Sequence, residues 1–187
     1  ACEASLRRLQ IDHIDVYMSH NPDPATPIEE TLEAYQRLID AGKVRHAACS
    51  NHDAAQLGAA LAASGDGRAR YEVVEPHYNL AERSLFEGPL EELCVRENIG
   101  VIPYFALAAG FLTGKYRSEA DLSKSPRGAG VGKKYLNPRG LKVLRALDDV
   151  SARLGSTPGN VALAWVLARP GVTSPIVSAS SVEQLRQ

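Results

Sequence analysis

The sequence predicts an α/β protein built from parallel βαβ units, and three features carry that expectation. Short runs rich in β-branched and aromatic residues, such as Ile14–Ser19, Val44–Ser50 and Tyr71–Glu75, alternate with longer runs of helical period. The helical runs open on capping signals and close near glycines such as Gly42 and Gly65. Strand and helix alternate about five times, which calls for parallel strands under right-handed crossovers.

Taken in order, Leu6 and Leu9 beside Arg7 and Arg8 mark the end of an amphipathic helix before the first strand. In that strand Ile14, Val16 and Met18 alternate with Asp15, Tyr17 and Ser19, which reads as a short buried strand. Pro22 lacks an amide proton and holds Asn21 extended, so regular structure ends near His20. Thr26-Pro27-Ile28-Glu29 is a capping box, and Ile28, Leu32, Tyr35, Leu38 and Ile39 form one face of the helix it opens. Val44–Ser50 is the next strand. Asp53 caps a helix through Leu57 and Leu61, Tyr71–Glu75 is the third strand, Pro89 opens a further helix, and Ile99–Tyr104 is the fourth strand.

Residues 105–138 break this rhythm; they have no clean period and are rich in glycine, lysine, serine and proline. Connections of that length are uncommon and usually functional or mobile. Helical period returns at Leu141, Leu144, Leu147, Val150 and Leu154, and again after Thr157-Pro158. A fifth strand is expected at Thr173–Ser178, and Ser180-Ser181-Val182-Glu183 is a capping box for a last helix.

Composition narrows the function. A chain of 187 residues is expected to form one domain, and its formal net charge of −1 argues against a nucleic-acid or anionic-membrane surface. No apolar run approaches the roughly 20 residues that span a bilayer, and no signal peptide is evident. Cys2, Cys49 and Cys94 are scattered, without metal-site spacing, and fit reduced thiols in a cytoplasmic protein. The chain begins at Ala1 without a methionine and its last helical pattern runs to Gln187, so it is expected to be cut at one or both ends.

The candidate chemistry sits at strand ends. A histidine at the carboxyl end of a strand is where parallel α/β proteins place reactive groups. A histidine merely hydrogen-bonded there is the commoner outcome, and that segment alone leaves both readings open.

A wider pattern does more. Ser5-Leu6-Arg7-Arg8-Leu9 leads to Ile14-Asp15-Val16-Tyr17 and His20-Asn21-Pro22-Asp23, and Ala41-Gly42-Lys43-Val44-Arg45 leads to Cys49-Ser50-Asn51. Glu75-Pro76-His77-Tyr78-Asn79-Leu80 follows, then Ile102-Pro103-Tyr104 and Gly110-Phe111-Leu112-Thr113-Gly114-Lys115-Tyr116. Ala162-Leu163-Ala164-Trp165 and Ser178-Ala179-Ser180-Ser181 complete the series. In order and spacing, over essentially the whole chain, this resembles the aldo-keto reductase family.

The resemblance implies a (β/α)₈ barrel of TIM type that reduces a small carbonyl substrate with NADPH. The chain would supply an incomplete barrel of about five βα units, since a full one needs about 250 residues. It also implies that the family's proton-donating tyrosine, its lysine and a catalytic aspartate lie on the amino-terminal units outside this chain. His20 is then the member of the catalytic tetrad present, a hydrogen-bond donor to the carbonyl oxygen as negative charge develops.

The cofactor positions follow from the same resemblance. Ser50 and Asn51 would hold the nicotinamide carboxamide together with Glu75, where the family has glutamine; a carboxylate accepts from the carboxamide NH₂ but cannot donate to its oxygen. Tyr104 would stack on the nicotinamide, with Phe105 and Leu107 beside it. Gly110, Thr113, Gly114 and Lys115 would hold the pyrophosphate, with Arg127 clamping it. Ser178, Ser180, Ser181, Gln184 and Gln187 would surround the adenosine end. Ser178 and Gln184 are uncharged where the family grips a 2′-phosphate with lysine or arginine. A non-catalytic nucleotide-binding or regulatory barrel portion is the alternative. Five parallel strands would leave two open edges, so self-association is expected, as is poor hydride transfer by residues 1–187 alone.

Overall fold

The computed structural model describes residues 1–179 and 181–186, and the chain divides into two compact units. The first comprises residues 1–76 and 87–101, the second residues 77–86 and 102–187.

Parallel pairing organises the first unit. Its sheet runs in the order β1 (Ile14–Ser19), β2 (Val44–Ser50), β3 (Tyr71–Glu75), β4 (Gly100–Val101). Met18 lies opposite Ala48, Ser50 opposite Glu75 and Val74 opposite Val101, with one register slip between Ala47 and Ala48. Helix α1 (Cys2–Leu9) carries Glu3 in its first turn and Arg7 and Arg8 in its last, which suits the helix dipole. Its Cys2 and Leu6 pack with Val44, Ile14, Tyr17, Leu38 and Ile39.

Helix α2 (Ile28–Asp40) buries Leu32 and Tyr35, and it starts one residue later than expected, with Pro27 as its cap. The Thr26 hydroxyl is diverted to Asp23 Oδ2 at 2.7 Å, which takes it out of the capping role. Asp53 does cap α3 (Ala54–Ala63): Asp53 Oδ1 accepts from Gln56 N at 2.8 Å, and Gln56 Oε1 accepts from Asp53 N at 3.0 Å. Pro89 opens α4 (Pro89–Arg96) as expected.

The faces of β1 differ from the expectation. Val16 is 39% exposed, whereas the Ser19 hydroxyl meets the Tyr35 hydroxyl at 3.1 Å and the Tyr71 hydroxyl at 2.9 Å. Helix α2 therefore takes the Tyr17 and Ser19 side, because side chains of a strand alternate and Tyr35 is the large residue α2 brings to it.

Two expected strands are corrected. The fourth stops at Val101, since Pro103 offers no N–H to a ladder; Tyr104 instead makes an isolated parallel bridge to His77 within the second unit. The fifth, at Thr173–Ser178, is absent among the described residues. Pro175 removes another donor, and the segment keeps one backbone bond to Pro103, from Ile176 N to Pro103 O at 2.9 Å. Four strands, not about five, form the sheet among the described residues.

The second unit is held by helices. Residues 105–138, expected to be irregular, form two 3₁₀ segments, Ala108–Thr113 and Glu119–Lys124, and helix α5 (Gly128–Tyr135). Three of the eight residues of α5 are glycine, which hid its period. Asn137 caps α6 (Pro138–Leu154) and Thr157 caps α7 (Pro158–Leu167). In the last helix, α8 (Val182–Arg186), Ser181 Oγ accepts from Gln184 N at 3.2 Å; Ser180, the expected start of that capping box, lies outside the described residues.

Phe111, Leu112, Tyr116, Leu144, Leu147 and Ala162 form the core of this unit, with the Phe111 ring stacked on Tyr135 at 5.5 Å. Arg117 straps the loop to α6 through two bonds to the Asp148 carboxylate, at 2.6 and 2.7 Å. No helix of the described residues is long and apolar enough to cross a membrane.

Two glycines of this unit respond oppositely to a methyl group. At Gly140 a Cβ would lie 1.9 Å from Tyr135 O and 3.0 Å from the Phe111 ring, while at Gly130 it would meet nothing within 4 Å. Gly140→Ala is expected to destabilise the unit by about 1–3 kcal/mol through overpacking. Gly130→Ala is expected to stabilise it by about 0.4–1 kcal/mol through unfolded-state entropy. Thermal melts of both variants check the pair, and equal shifts would refute the packing at Gly140.

Candidate active site

Three adjacent parallel strands of the first unit end together, and their ends carry His20, Ser50, Asn51 and Glu75. Asn51 leaves β2 in the left-handed region, φ 57°, which asparagine tolerates better than most residues. That turn lets its side chain reach back: Asn51 Nδ2 donates to His20 O and to Asn21 Oδ1, each at 2.9 Å. Ser50, 2% exposed, donates its hydroxyl to Glu75 O at 3.0 Å, and Asn51 N donates to the same oxygen at 3.3 Å. These bonds tie the ends of β1, β2 and β3 to one another.

His20 is exposed, while Glu75 is half-buried. Burial pushes the Glu75 carboxyl above its ordinary range, and the charge of His20 pulls it partly back. His20 therefore lies within electrostatic reach of Glu75. One neighbour went unnoticed in the sequence. His52 is buried, donates Nδ1–H to Ser50 O at 2.9 Å, and sets its ring edge-on to Tyr71. Its only sequence signal is its place in the turn between Asn51 and the Asp53 cap.

In the second unit, Tyr104 stacks on His77, rings 5.2 Å apart and 18° from parallel, and Phe105 stands edge-on to His77 at 5.5 Å. Backbone geometry after Tyr104 is tight. Phe105, Ala108, Ala109 and Gly110 have φ of 54°, 51°, 55° and 91°. Asn79, fully buried, holds the entry to this loop: its Nδ2 donates to Phe105 O at 3.0 Å, and its Oδ1 accepts from Ala81 N and Glu82 N, both at 2.9 Å. His77 has a buried Nε2 without a partner, and burial, with Lys134 nearby, lowers its pKa against the pull of Glu82. Neither Asn79 nor His77 was assigned a role from the sequence, although both lie in the motif that ends with Leu80.

Phe105 and Arg127 line one cavity of about 410 Å³ with His77, Gly130, Lys134 and Tyr135. Other expected contacts lie elsewhere. Leu107 packs against the core of the unit, because the 3₁₀ turn that follows rolls it inward. Lys115 is exposed with Nζ 5.0 Å from the Tyr116 ring, and the Thr113 hydroxyl donates to Gly110 O at 2.8 Å. Gly114 closes that 3₁₀ segment with φ 80°. Ser178, Ser181 and Gln184 are exposed, and Ser180 and Gln187 lie outside the described residues. A larger cavity, about 720 Å³, opens beside β1 and α2, and none of the expected site residues lines it.

Polar side chains at the carboxyl ends of neighbouring parallel strands define an α/β protein of the class that places its chemistry on that edge. Comparison with known proteins gives the family. The chain matches the Aldo/keto reductase family model over residues 1–187. It is 37% identical to an uncharacterized oxidoreductase of Bacillus subtilis over 98% of its own length and 55% of that protein's. It is 36% identical to a probable voltage-gated potassium channel subunit beta of Arabidopsis thaliana, covering 99% of the chain and 58% of that protein. Among solved structures, a glycerol dehydrogenase of Gluconobacter oxydans superposes with a TM-score of 0.83 at 26% identity, over 98% of this chain and 55% of that one. A thermostable aldo-keto reductase solved with the inhibitor epalrestat gives 0.77 at 28% identity, over 99% and 56%.

The chain belongs to the aldo/keto reductase family, and its fold is of the (β/α)₈ barrel type. It spans about 55% of the length of the relatives it matches.

Asn79 tests the local account of the second unit. Asn79→Ala strips partners from Phe105 O, Ala81 N and Glu82 N, and is expected to cost at least about 1–3 kcal/mol in chemical denaturation. Wild-type stability in that variant would show that the asparagine does not hold the loop.

Proposed function

We propose that the protein carrying this chain is an oxidoreductase that reduces aldehydes or ketones to alcohols with NADPH, with His20 donating a hydrogen bond to the carbonyl oxygen. One observation carries the reading. Asn51 pins the His20 main chain to the end of β2, so an exposed imidazole is held beside a cluster of amide, hydroxyl and carboxyl groups.

The residues present suit a nicotinamide cofactor. Ser50 and Glu75 offer lone pairs to a carboxamide NH₂. Within the second unit itself, Tyr104 and Phe105 are aromatic and Lys115, Arg127 and Lys134 are cationic, which are the residue types that a nicotinamide ring and phosphates take. When bound, the cofactor would supply the hydride. The chain's own part is to position and to stabilise charge: His20 would hold the substrate oxygen, and a fixed donor at the developing oxyanion is worth more than one that must reorient from water. Ser178 and Gln184 are uncharged and exposed, so the grip on a 2′-phosphate would be loose.

The same reading places the protein in the cytoplasm, its three cysteines being free and buried, with Cys49 and Cys94 pushed up to about 12 by burial. It includes association of copies through the outer edge of the sheet at β1. A second reading, a regulatory nucleotide-binding subunit, is favoured by the relative named as a channel subunit beta.

NADPH fluorescence quenching and turnover of 4-nitrobenzaldehyde by the intact protein separate the two. Binding with turnover supports the reductase, and binding without turnover supports the subunit. His20→Ala is expected to lower kcat by about 10²–10³ while NADPH still binds. An unchanged kcat removes His20 from the chemistry.

A further inference from the structure

The joined ends of β1, β2 and β3 hold more acceptors than donors. Both hydrogens of Asn51 Nδ2 are already donated, to His20 O and Asn21 Oδ1. The Ser50 hydroxyl and the Asn51 main-chain N–H are both donated to Glu75 O. A carboxamide brings one NH₂ and one carbonyl oxygen. The NH₂ finds lone pairs on Ser50 Oγ and on the Glu75 carboxyl, but the oxygen finds no uncommitted side-chain donor at the carboxyl ends of β2 and β3 unless Glu75 carries a proton. His20 is the remaining donor, and the reading above commits it to the substrate.

We propose that Glu75 engages the cofactor as a neutral carboxylic acid, donating its O–H to the carboxamide oxygen while its other oxygen accepts from the NH₂. The inference rests on the nicotinamide reading and assigns this chain's glutamate the two-way role that a glutamine would play permanently. The surroundings favour the acid. Glu75 is half-buried at the strand end, and burial is the largest influence on its carboxyl, pushing protonation upward. His20 on the loop after β1 is the charge acting on it, Ser50 of β2 lies opposite it, and on β4 Gly100 and Val101, which do not titrate, lie opposite Val73 and Val74.

A proton is then taken up with the cofactor, and the sign follows. Below the pKa of Glu75 in the free protein the acid is already present and affinity is full. Above it, affinity falls by up to about tenfold per pH unit until the weaker grip of the carboxylate is reached.

The test measures Kd for NADPH and for NADH by fluorescence quenching on the intact protein and on Glu75→Gln, from about pH 4.5, near the ordinary glutamate value, to about pH 8.5. The NADH arm removes the titration of the 2′-phosphate. For the unaltered protein, Kd for both cofactors is expected to rise about tenfold across that range, the equivalent of one hydrogen bond. For Glu75→Gln it is expected to change by less than about twofold and to stay near the low-pH value. Equal slopes in the two proteins, or a flat unaltered protein, overturn the assignment. A ¹³C-carboxyl titration of Glu75 in the unaltered protein guards against a misfolded variant: its midpoint rises on binding if the proposal holds, and a midpoint that stays or falls overturns it. If neither cofactor binds at any pH, the nicotinamide reading falls as well; if both bind without the expected pH difference, Glu75 alone is reassigned.

Discussion

The arrangement of the candidate site depends on one residue turning the wrong way for most side chains. Asn51 sits at φ 57° immediately after β2, where a β-branched or bulky residue would clash with its own backbone. Once the chain has turned there, the amide reaches two acceptors on the His20 loop, and the main-chain N–H reaches the end of β3. The ladder of a parallel sheet stops at its last residue; beyond it, side chains must satisfy the backbone or water will. Asn51 continues the pairing by one residue across three strands. A glycine could adopt the same φ, but it would leave His20 O without that partner.

The second unit repeats the device with a different geometry. Asn79 is buried, and its amide bridges Phe105 O on one side and the N–H groups of Ala81 and Glu82 on the other. The loop after Tyr104 passes through several left-handed residues that are not glycine, each unfavourable alone. Such a loop persists only where its surroundings over-determine it. Here the partners are Asn79, the Phe111 and Leu112 anchors in the core, and the Arg117–Asp148 strap. The strap itself is half-exposed, so its geometry matters more than its energy. In each unit, taken by itself, an asparagine side chain ties down the entry to a loop, and loops fixed on a packed scaffold are where proteins place function.

Polar accounting at the strand ends gives the site its character. Its amide and hydroxyl donors are used internally to hold shape, which leaves an edge that accepts more readily than it donates. A family glutamine would soften that imbalance, whereas Glu75 accentuates it above its pKa and removes it below. The residue that departs from the pattern thus makes the site sensitive to protons, and burial sets where that sensitivity falls.

Local signals in the sequence determined much of the fold. Proline, capping residues and period placed β1, β2, β3 and the helices from α2 to α4, and Thr157 does cap α7. Each of those signals acts within a few residues, so no partner is needed to read it. The motifs containing His20, Ser50-Asn51 and Glu75 likewise pointed to strand ends, since strand ends are marked by local chemistry. Tertiary structure decided the rest. Which face of β1 is covered depended on where α2 set Tyr35, and alternation alone is symmetric between faces. The strand expected at Thr173–Ser178 does not form because a strand exists only with a neighbour, and prolines at 103 and 175 withdraw donors from that pairing. Helix α5 was invisible because its three glycines follow close approach to Leu122 and open space rather than helix propensity. The donor count around Glu75 was equally out of reach: it depends on where Asn51 and Ser50 spend their hydrogens, and only the folded chain brings their partners within 3 Å.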